Sequence, residues 1–304
     1  MEKKRKLYYV SDIHLELRKN KITCNLTFMP ENPEDENYLA LCGDIGCPFQ
    51  PNYEKFLSIH SELYERIFII TGNHEYYTSK QHTMFYIDQR IQELTHYYPK
   101  VTFLNTNEPF QLNNTLFVGC TLWSSVDATA EGKMNDYNRI YTSANNEQYM
   151  ETNEVNKKRW IKDGRRLIKY TDILEIHGNM LIYLEEMVNG NYSNITTFAM
   201  KDKEFDIDSI DQLIVLTHHA PSFKMLKEKP VISTPLYDSE DSVNIDNCYA
   251  TNCEYLFKKP VVCWISGHTH ECKDEKINNI PCLSNCFGYP HQQTEFVLKK
   301  SIDF

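Results

Sequence analysis

Five short apolar runs, each broken off by a polar turn carrying Asp, Asn or His, constrain this chain more than any other feature. Residues 7–10 give way to Ser-Asp-Ile-His, 38–42 to Gly-Asp-Ile-Gly, and 66–70 to Thr-Gly-Asn-His-Glu. Residues 213–216 end in Thr-His-His-Ala-Pro, and 261–265 in Ser-Gly-His-Thr-His. Near-continuous runs rich in Val, Ile, Tyr and Phe suit strands buried on both faces. Polar residues just past the carboxyl ends of such strands are where α/β sheets gather their ligands.

Between the runs the apolar period changes to that of a helix. Residues 53–66 and 81–98 each predict one. The stretch 154–188 predicts two consecutive helices, divided near Gly164, with Thr171-Asp172 capping the second. The second presents Ile173, Leu174, Ile176, Met180, Leu181, Leu184 and Val188 on one broad face. Residues 110–123 read as a hairpin about Asn113-Asn114. No repeat or linker divides the 304 residues, so the expected organisation is one domain spanning 1–304, with insertions near 124–170, 189–211 and 224–246.

Charge and cysteine usage narrow the function classes. With 32 Lys plus Arg against 42 Asp plus Glu, the net charge is −10. That disfavours a protein that coats nucleic acid, because neutralising phosphates takes clustered cations, and it disfavours an anionic membrane surface. A basic segment at 157–169 is the one stretch suited to a polyanion, although a solvated helix face balanced by nearby acids is the favoured reading. The N-terminal sequence lacks the apolar core of a secretory signal, and no window is apolar enough to span a membrane. The 10 cysteines contain no CxxC pair. Cys248 with Cys253, and Cys282 with Cys286, could be spaced as zinc knuckles, but reduced thiols packed as small apolar groups are the expectation. The expected compartment is the cytoplasm.

The strand ends together supply Asp12, His14, Asp44, Asn73, His74, His218, His219, His268 and His270. Carboxylate oxygen mixed with imidazole, and no thiolate, suits Mn²⁺, Fe, Zn²⁺, Co²⁺ or Ni²⁺ better than Ca²⁺ or Cu(I). The i, i+2 spacing of Asp12/His14 and His268/His270 is what an extended strand end would need to point two side chains at one cation. Each fragment alone is common; five in one order, each after its own strand, are not.

These residues resemble the calcineurin-like metallophosphoesterases, whose signature is Asp-x-His, Gly-Asp, Gly-Asn-His-Glu or -Asp, a His after a strand, and Gly-His-x-His. All five blocks stand between residues 12 and 270. Softer similarity at residues 119–123, at 135–137, and at Asn285 with Gly288-Tyr289-Pro290 points to a bacterial-type branch. The resemblance implies a four-layer sandwich, two mixed β-sheets flanked by helices. It implies two divalent cations, Mn²⁺ foremost, one held by Asp12, His14 and His270, the other by Asn73, His218 and His268, with Asp44 bridging. It further implies hydrolysis of a phosphomonoester or phosphodiester by a metal-bridging hydroxide, with His74 assisting the leaving group.

Of the adjacent pair, His218 is expected as the ligand and His219 as its neighbour or a substrate contact. Arg139 and His177 are further candidates for substrate contact. The protein Ser/Thr phosphatases carry an Asp and an Arg after Gly-Asp, where this chain has Cys47 and Pro48, so a protein substrate is disfavoured and the residue orienting His74 is unassigned. A small phosphate ester is the expected substrate. The alternatives are a metal-dependent nuclease of single strands or ends, using the basic segment, and a catalytically silent metal-containing binding module.

Overall fold

The computed structural model describes residues 3–18, 26–78, 82–105, 108–143, 165–192, 206–227 and 245–304. All five apolar runs are strands within two mixed sheets. The first sheet has the order β13-β1-β2-β3-β4, formed by Ser301–Asp303, Arg5–Val10, Glu36–Cys42, Arg66–Ile70 and Val101–Phe103. Strands β1 to β4 run parallel, and β13 closes the edge antiparallel to β1. The second sheet has the order β11-β12-β10-β9-β6-β5, formed by Asp274–Ile277, Ile280–Ser284, Val261–Ser266, Gln212–Thr217, Thr115–Cys120 and Phe110–Leu112. Its four central strands are parallel and its two edge strands antiparallel.

The near-continuous apolar runs follow from burial on both faces of both sheets. Inward from the first sheet point Leu7, Tyr9, Ala40, Cys42, Phe68 and Ile70, which meet Phe117, Ile214, Leu216, Cys263, Ile265 and Leu283 of the second. Outward, Tyr8, Val10, Leu39, Leu41, Ile67 and Ile69 pack on helices α1 (Pro51–Leu63) and α2 (Met84–Tyr97). On the far side, Leu116, Val118, Leu213, Val215 and Trp264 pack on α4 (Tyr170–Val188) through Tyr183, Leu184, Met187 and Val188. Each fully buried Leu, Ile or Phe contributes roughly 1.5–3 kcal/mol, so this layering of helices, sheet, sheet and helix dominates the stability. It is the expected four-layer sandwich. The hairpin at Asn113 also forms, with φ 53 at that residue.

Two local expectations are overturned. Residues 165–167, expected to be helical, form a short strand, β8 (Arg165–Leu167), paired antiparallel with β7 (Tyr141–Ser143) just after the one-turn helix α3 (Asp136–Arg139). Arg166 is clamped by both carboxylate oxygens of Asp172 at 2.6 and 2.7 Å, and the same carboxylate accepts the Lys169 N–H. Asp172 thus serves the start of α4 from its third position, and Lys169 holds the cap position. The rest of the basic segment, the first of the two expected helices, and the middles of the three expected insertions lie outside the described residues. Among the described residues, no helix is long and apolar enough to cross a membrane.

Candidate metal centre and catalytic cleft

The carboxyl ends of β1, β2, β3, β9 and β10 open on one side of the sandwich, and their turns meet over the seam between the sheets. The chain does not leave these strands by continuing extended, as the i, i+2 spacing suggested. Asp12, His14, Asp44, His268 and His270 all take left-handed backbone conformations, with φ 55, 50, 55, 67 and 55. Asp and His tolerate this region better than most residues, but five cases at one site store strain of a kind found where function demands it. Glycine is required where loops cross: a Cβ on Gly72 would overlap Asp44 Oδ1 and the His218 ring.

Among the described residues three groups of metal-capable side chains result; one of them, His14, Glu16 and His74, shares His14 with the first of the two described next. In the first, Asp12, His14 and His270 converge. His14 Nδ1 lies 3.3 Å from Glu16 Oε1 and His270 Nδ1 lies 2.5 Å from Gln292 Oε1, so both rings turn Nε2 inward. Those two nitrogens are 3.1 Å apart, with Asp12 Oδ1 3.3 Å from His270 Nε2. Asp12 is fixed by the Ser11 hydroxyl at 2.5 Å and by the His268 N–H. In the second cluster, Asp44, His218 and His268 converge. His218 Nδ1 donates to the Cys42 carbonyl at 2.9 Å, leaving Nε2 facing Asn73 Oδ1 at 3.3 Å and Asp44 Oδ1 at 3.4 Å. Asp136 accepts from the Asn73 amide at 2.8 Å and from the Tyr77 hydroxyl at 2.6 Å, which turns the amide oxygen toward His218.

These donors fit divalent cations on three grounds. The His268 Nε2 atom is buried with no hydrogen-bond partner. Imidazole nitrogens whose opposite atoms are already committed face each other or face oxygen, an arrangement that a cation relieves. Asp44 stands between the clusters, Oδ1 toward His218 and Oδ2 3.8 Å from His14 Nε2. Among the described residues, the cation clusters contain no cysteine.

Burial and neighbouring charge shift the site's groups strongly, raising His218 to about 9 and His270 above its ordinary value through Asp44 and Asp12. Burial opposes ionisation of Asp12, but the hydrogen bond and charge of His270 hold its carboxyl well below the ordinary range. Burial likewise opposes charge on His74, yet Asp44 and Glu16 raise its pKa to about 9; a cation bound nearby would draw that value down. Burial and the charge of His218 push His268 down to about 3, leaving it a neutral donor.

His74 sits over the first cluster. Its backbone N–H donates to Asp44 Oδ1 at 2.8 Å, and its Nδ1 lies 3.0 Å from Glu16 Oε1. Glu16 is therefore the partner that sequence reasoning left unassigned, and the only signal for it was an acid two residues beyond His14. Glu75, the last residue of Gly-Asn-His-Glu, serves the backbone: its carboxylate accepts from the N–H groups of Asp44, Ile45, Gly46 and Gly72.

A cleft of about 290 Å³ opens over both clusters, walled by Tyr77, Lys133, Asn135, Tyr249, Tyr289 and Gln292 among others. Lys133 brings a cation to it, which sequence reasoning assigned to Arg139. Arg139 is exposed, its guanidinium 5.5 Å from the Tyr77 ring centre, and does not line the cleft. His219 is buried behind His268, ring centres 4.0 Å apart, and is kept neutral by burial. His177 is also buried, with Nδ1 2.8 Å from the Leu122 carbonyl.

Fold and site together are those of a metal-dependent phosphoric ester hydrolase. A model of the calcineurin-like phosphoesterase family matches residues 5–272, and the chain belongs to that family. A protein of Acanthamoeba polyphaga mimivirus, named only as uncharacterized protein L509, is 29% identical over 302 residues, covering 95% of this chain and 93% of its own. The fold is similar to that of phosphopantetheinyl hydrolase (PptH) from Mycobacterium tuberculosis, with a TM-score of 0.52, 14% identity, and 94% and 90% of the two chains covered. The calcineurin-like phosphoesterase YfkN from Bacillus subtilis is also similar, with a TM-score of 0.42, 11% identity, and 92% and 80% covered.

Proposed function

We propose that this cleft hydrolyses a small phosphomonoester or phosphodiester with two divalent cations. Asp12, His14 and His270 would hold one, Asn73, His218 and His268 the other, and Asp44 would serve both. The observation that carries this reading is the placement of Asp44, whose two oxygens face the imidazoles of different clusters at 3.8 and 3.4 Å. The cations, for which the mixed oxygen and imidazole donor set suits Mn²⁺, Fe, Zn²⁺, Co²⁺ or Ni²⁺ and the family resemblance puts Mn²⁺ foremost, would neutralise phosphoryl oxygens and acidify the attacking water.

The chain's own residues supply the remainder. The backbone N–H of His74 grips Asp44, so the ring is placed relative to the cluster by the same turn that carries Asn73. With Nδ1 donating to Glu16, Nε2 is left to donate to the leaving oxygen as its bond to phosphorus breaks, a role worth 10²–10⁴-fold in typical enzymes. Lys133 adds positive charge where the phosphate must enter. Asp136, by orienting Asn73, keeps an oxygen and not an NH₂ group toward the cation. The free cysteines among the described residues agree with a reducing, cytoplasmic setting.

The test is a panel of monoesters, diesters, nucleotides and oligonucleotides run with Mn²⁺, Fe²⁺, Zn²⁺, Co²⁺ and Ni²⁺. Turnover of at least one small ester is expected, with Asp44→Asn losing about 10³-fold or more. A protein that binds cations yet turns over nothing in the panel would instead be a binding module. Turnover confined to oligonucleotides would make it a nuclease.

A further inference from the structure

Glu16 engages Nδ1 of His74, and Nε2, the nitrogen left for the leaving oxygen, has one hydroxyl beside it. Tyr289, exposed to 42% at the rim of the cleft, places its hydroxyl 3.3 Å from His74 Nε2. Its ring stacks on His14, centres 4.4 Å apart at 30°, and meets the His270 ring edge-on at 4.5 Å.

This position is built into the loop that follows β12. The Phe287 N–H donates to the Ser11 carbonyl at 2.9 Å. Arg18 donates to the Gly288 carbonyl at 2.9 Å and to the Ile13 carbonyl at 2.7 Å, bolting the Tyr289 loop to the turn that carries Asp12, His14 and Glu16. Gln292 Oε1 accepts the Tyr289 N–H at 3.2 Å as well as His270 Nδ1. The phenol is thus held against a candidate cation ligand on one side and against His74 on the other.

We propose that Tyr289 is a catalytic residue, its hydroxyl donating a hydrogen bond to the leaving-group oxygen beside His74. The proposal rests on the reading that His74 Nε2 serves that oxygen. An oxygen that meets Nε2 on the side of Tyr289 also comes within reach of its hydroxyl, 3.3 Å from the same nitrogen. As the ester bond breaks, its electron pair moves to that oxygen, and donors aimed at developing charge are worth most at that moment. The phenol keeps its proton throughout; it contributes a hydrogen bond, strengthened because the acceptor is becoming charged.

The effect should scale with the charge that the leaving oxygen develops. For whichever ester class the enzyme hydrolyses, an aryl ester with a p-nitrophenolate leaving group and an alkyl ester are compared in wild type, Tyr289→Phe and His74→Ala. Metal content and circular dichroism are read on each protein. Tyr289→Phe should lose 10- to 100-fold in kcat on the alkyl ester and less than threefold on the aryl ester, with cation content unchanged. An equal loss on both esters, a rise in KM alone, or no loss would each overturn the proposal. If His74→Ala keeps full activity on both esters, the underlying reading of His74 fails as well. If His74→Ala is crippled while Tyr289→Phe is not, only the role of Tyr289 falls.

Discussion

His60, on α1 and remote from the cleft, has both ring nitrogens committed in its neutral form: Nδ1 donates to the Phe56 carbonyl at 2.7 Å and Nε2 accepts the Phe28 N–H at 3.0 Å. A second proton would have to enter against that N–H, in a fully buried site, and burial lowers the pKa from 6.5 to about 4. Because the folded value is depressed, the associated stability is complete above pH 6.5 and is lost as pH falls through 4. The loss is up to about 3 kcal/mol. Urea unfolding in chelator at pH 7, 5.5 and 4 should show this slope in the wild type and a shallower one in His60→Gln; parallel slopes would exclude His60 as its source. At this scale the sequence was legible for the side chains that converge as candidate cation ligands, since Asp-x-His and Gly-His-x-His carry their chemistry in the spelling. It was silent for Glu16, Gln292 and Lys133. Their roles depend on which turn they face across the fold, and no local pattern encodes that.

The β2–α1 connection shows how an element is held by one distant side chain. Residues 43–46 pass through a left-handed turn at Asp44, and three of their N–H groups, with that of Gly72, end on Glu75. Glu75→Gln offers an NH₂ group where an oxygen is needed. It should cost about 1–3 kcal/mol through unpaired buried donors, and it should loosen Asp44 enough to weaken cation binding. Thermal melting and metal titration measure the two effects separately; a melting loss with unaltered affinity would limit Glu75 to folding. Gly72→Ala acts on the same turn by overlap with Asp44 and His218, and should lower cation affinity even where the fold survives. Elements whose periodicity matched their burial, such as the core strands and α1, were readable within a few residues. β8 was not: its adjacent Arg165 and Arg166 continue a basic run that resembles a helix surface, and only pairing with β7 and the Asp172 clamp make it a strand.

At the scale of the whole molecule, the −10 charge coexists with a cleft built to receive anions, because Asp12 and Asp44 are committed inward and Lys133 stands at the entrance. Activity on a small ester should therefore depend on salt only weakly, whereas extended polyanions should be bound poorly at physiological ionic strength. Each candidate cation set also draws from both sheets: Asp12 and His14 from the first with His270 from the second, and Asn73 and Asp44 from the first with His218 and His268 from the second. Saturating Mn²⁺ should stabilise the fold by about 2.7 kcal/mol at 100 times its dissociation constant, read as a rise in Tm that chelator reverses and that is absent in Asp44→Asn with His218→Ala.

A cation joining Asp12 to His270 would act as a reversible staple. It would tie two positions 258 apart in the chain, across a seam closed by apolar contact and by the hydrogen bonds of its turns. The ligands then carry two selective burdens and His74 only one. A lineage that stopped needing hydrolysis could discard His74 at little structural cost, whereas losing Asp12 or His270 would also remove that tie, leaving the apolar layer alone to hold the seam.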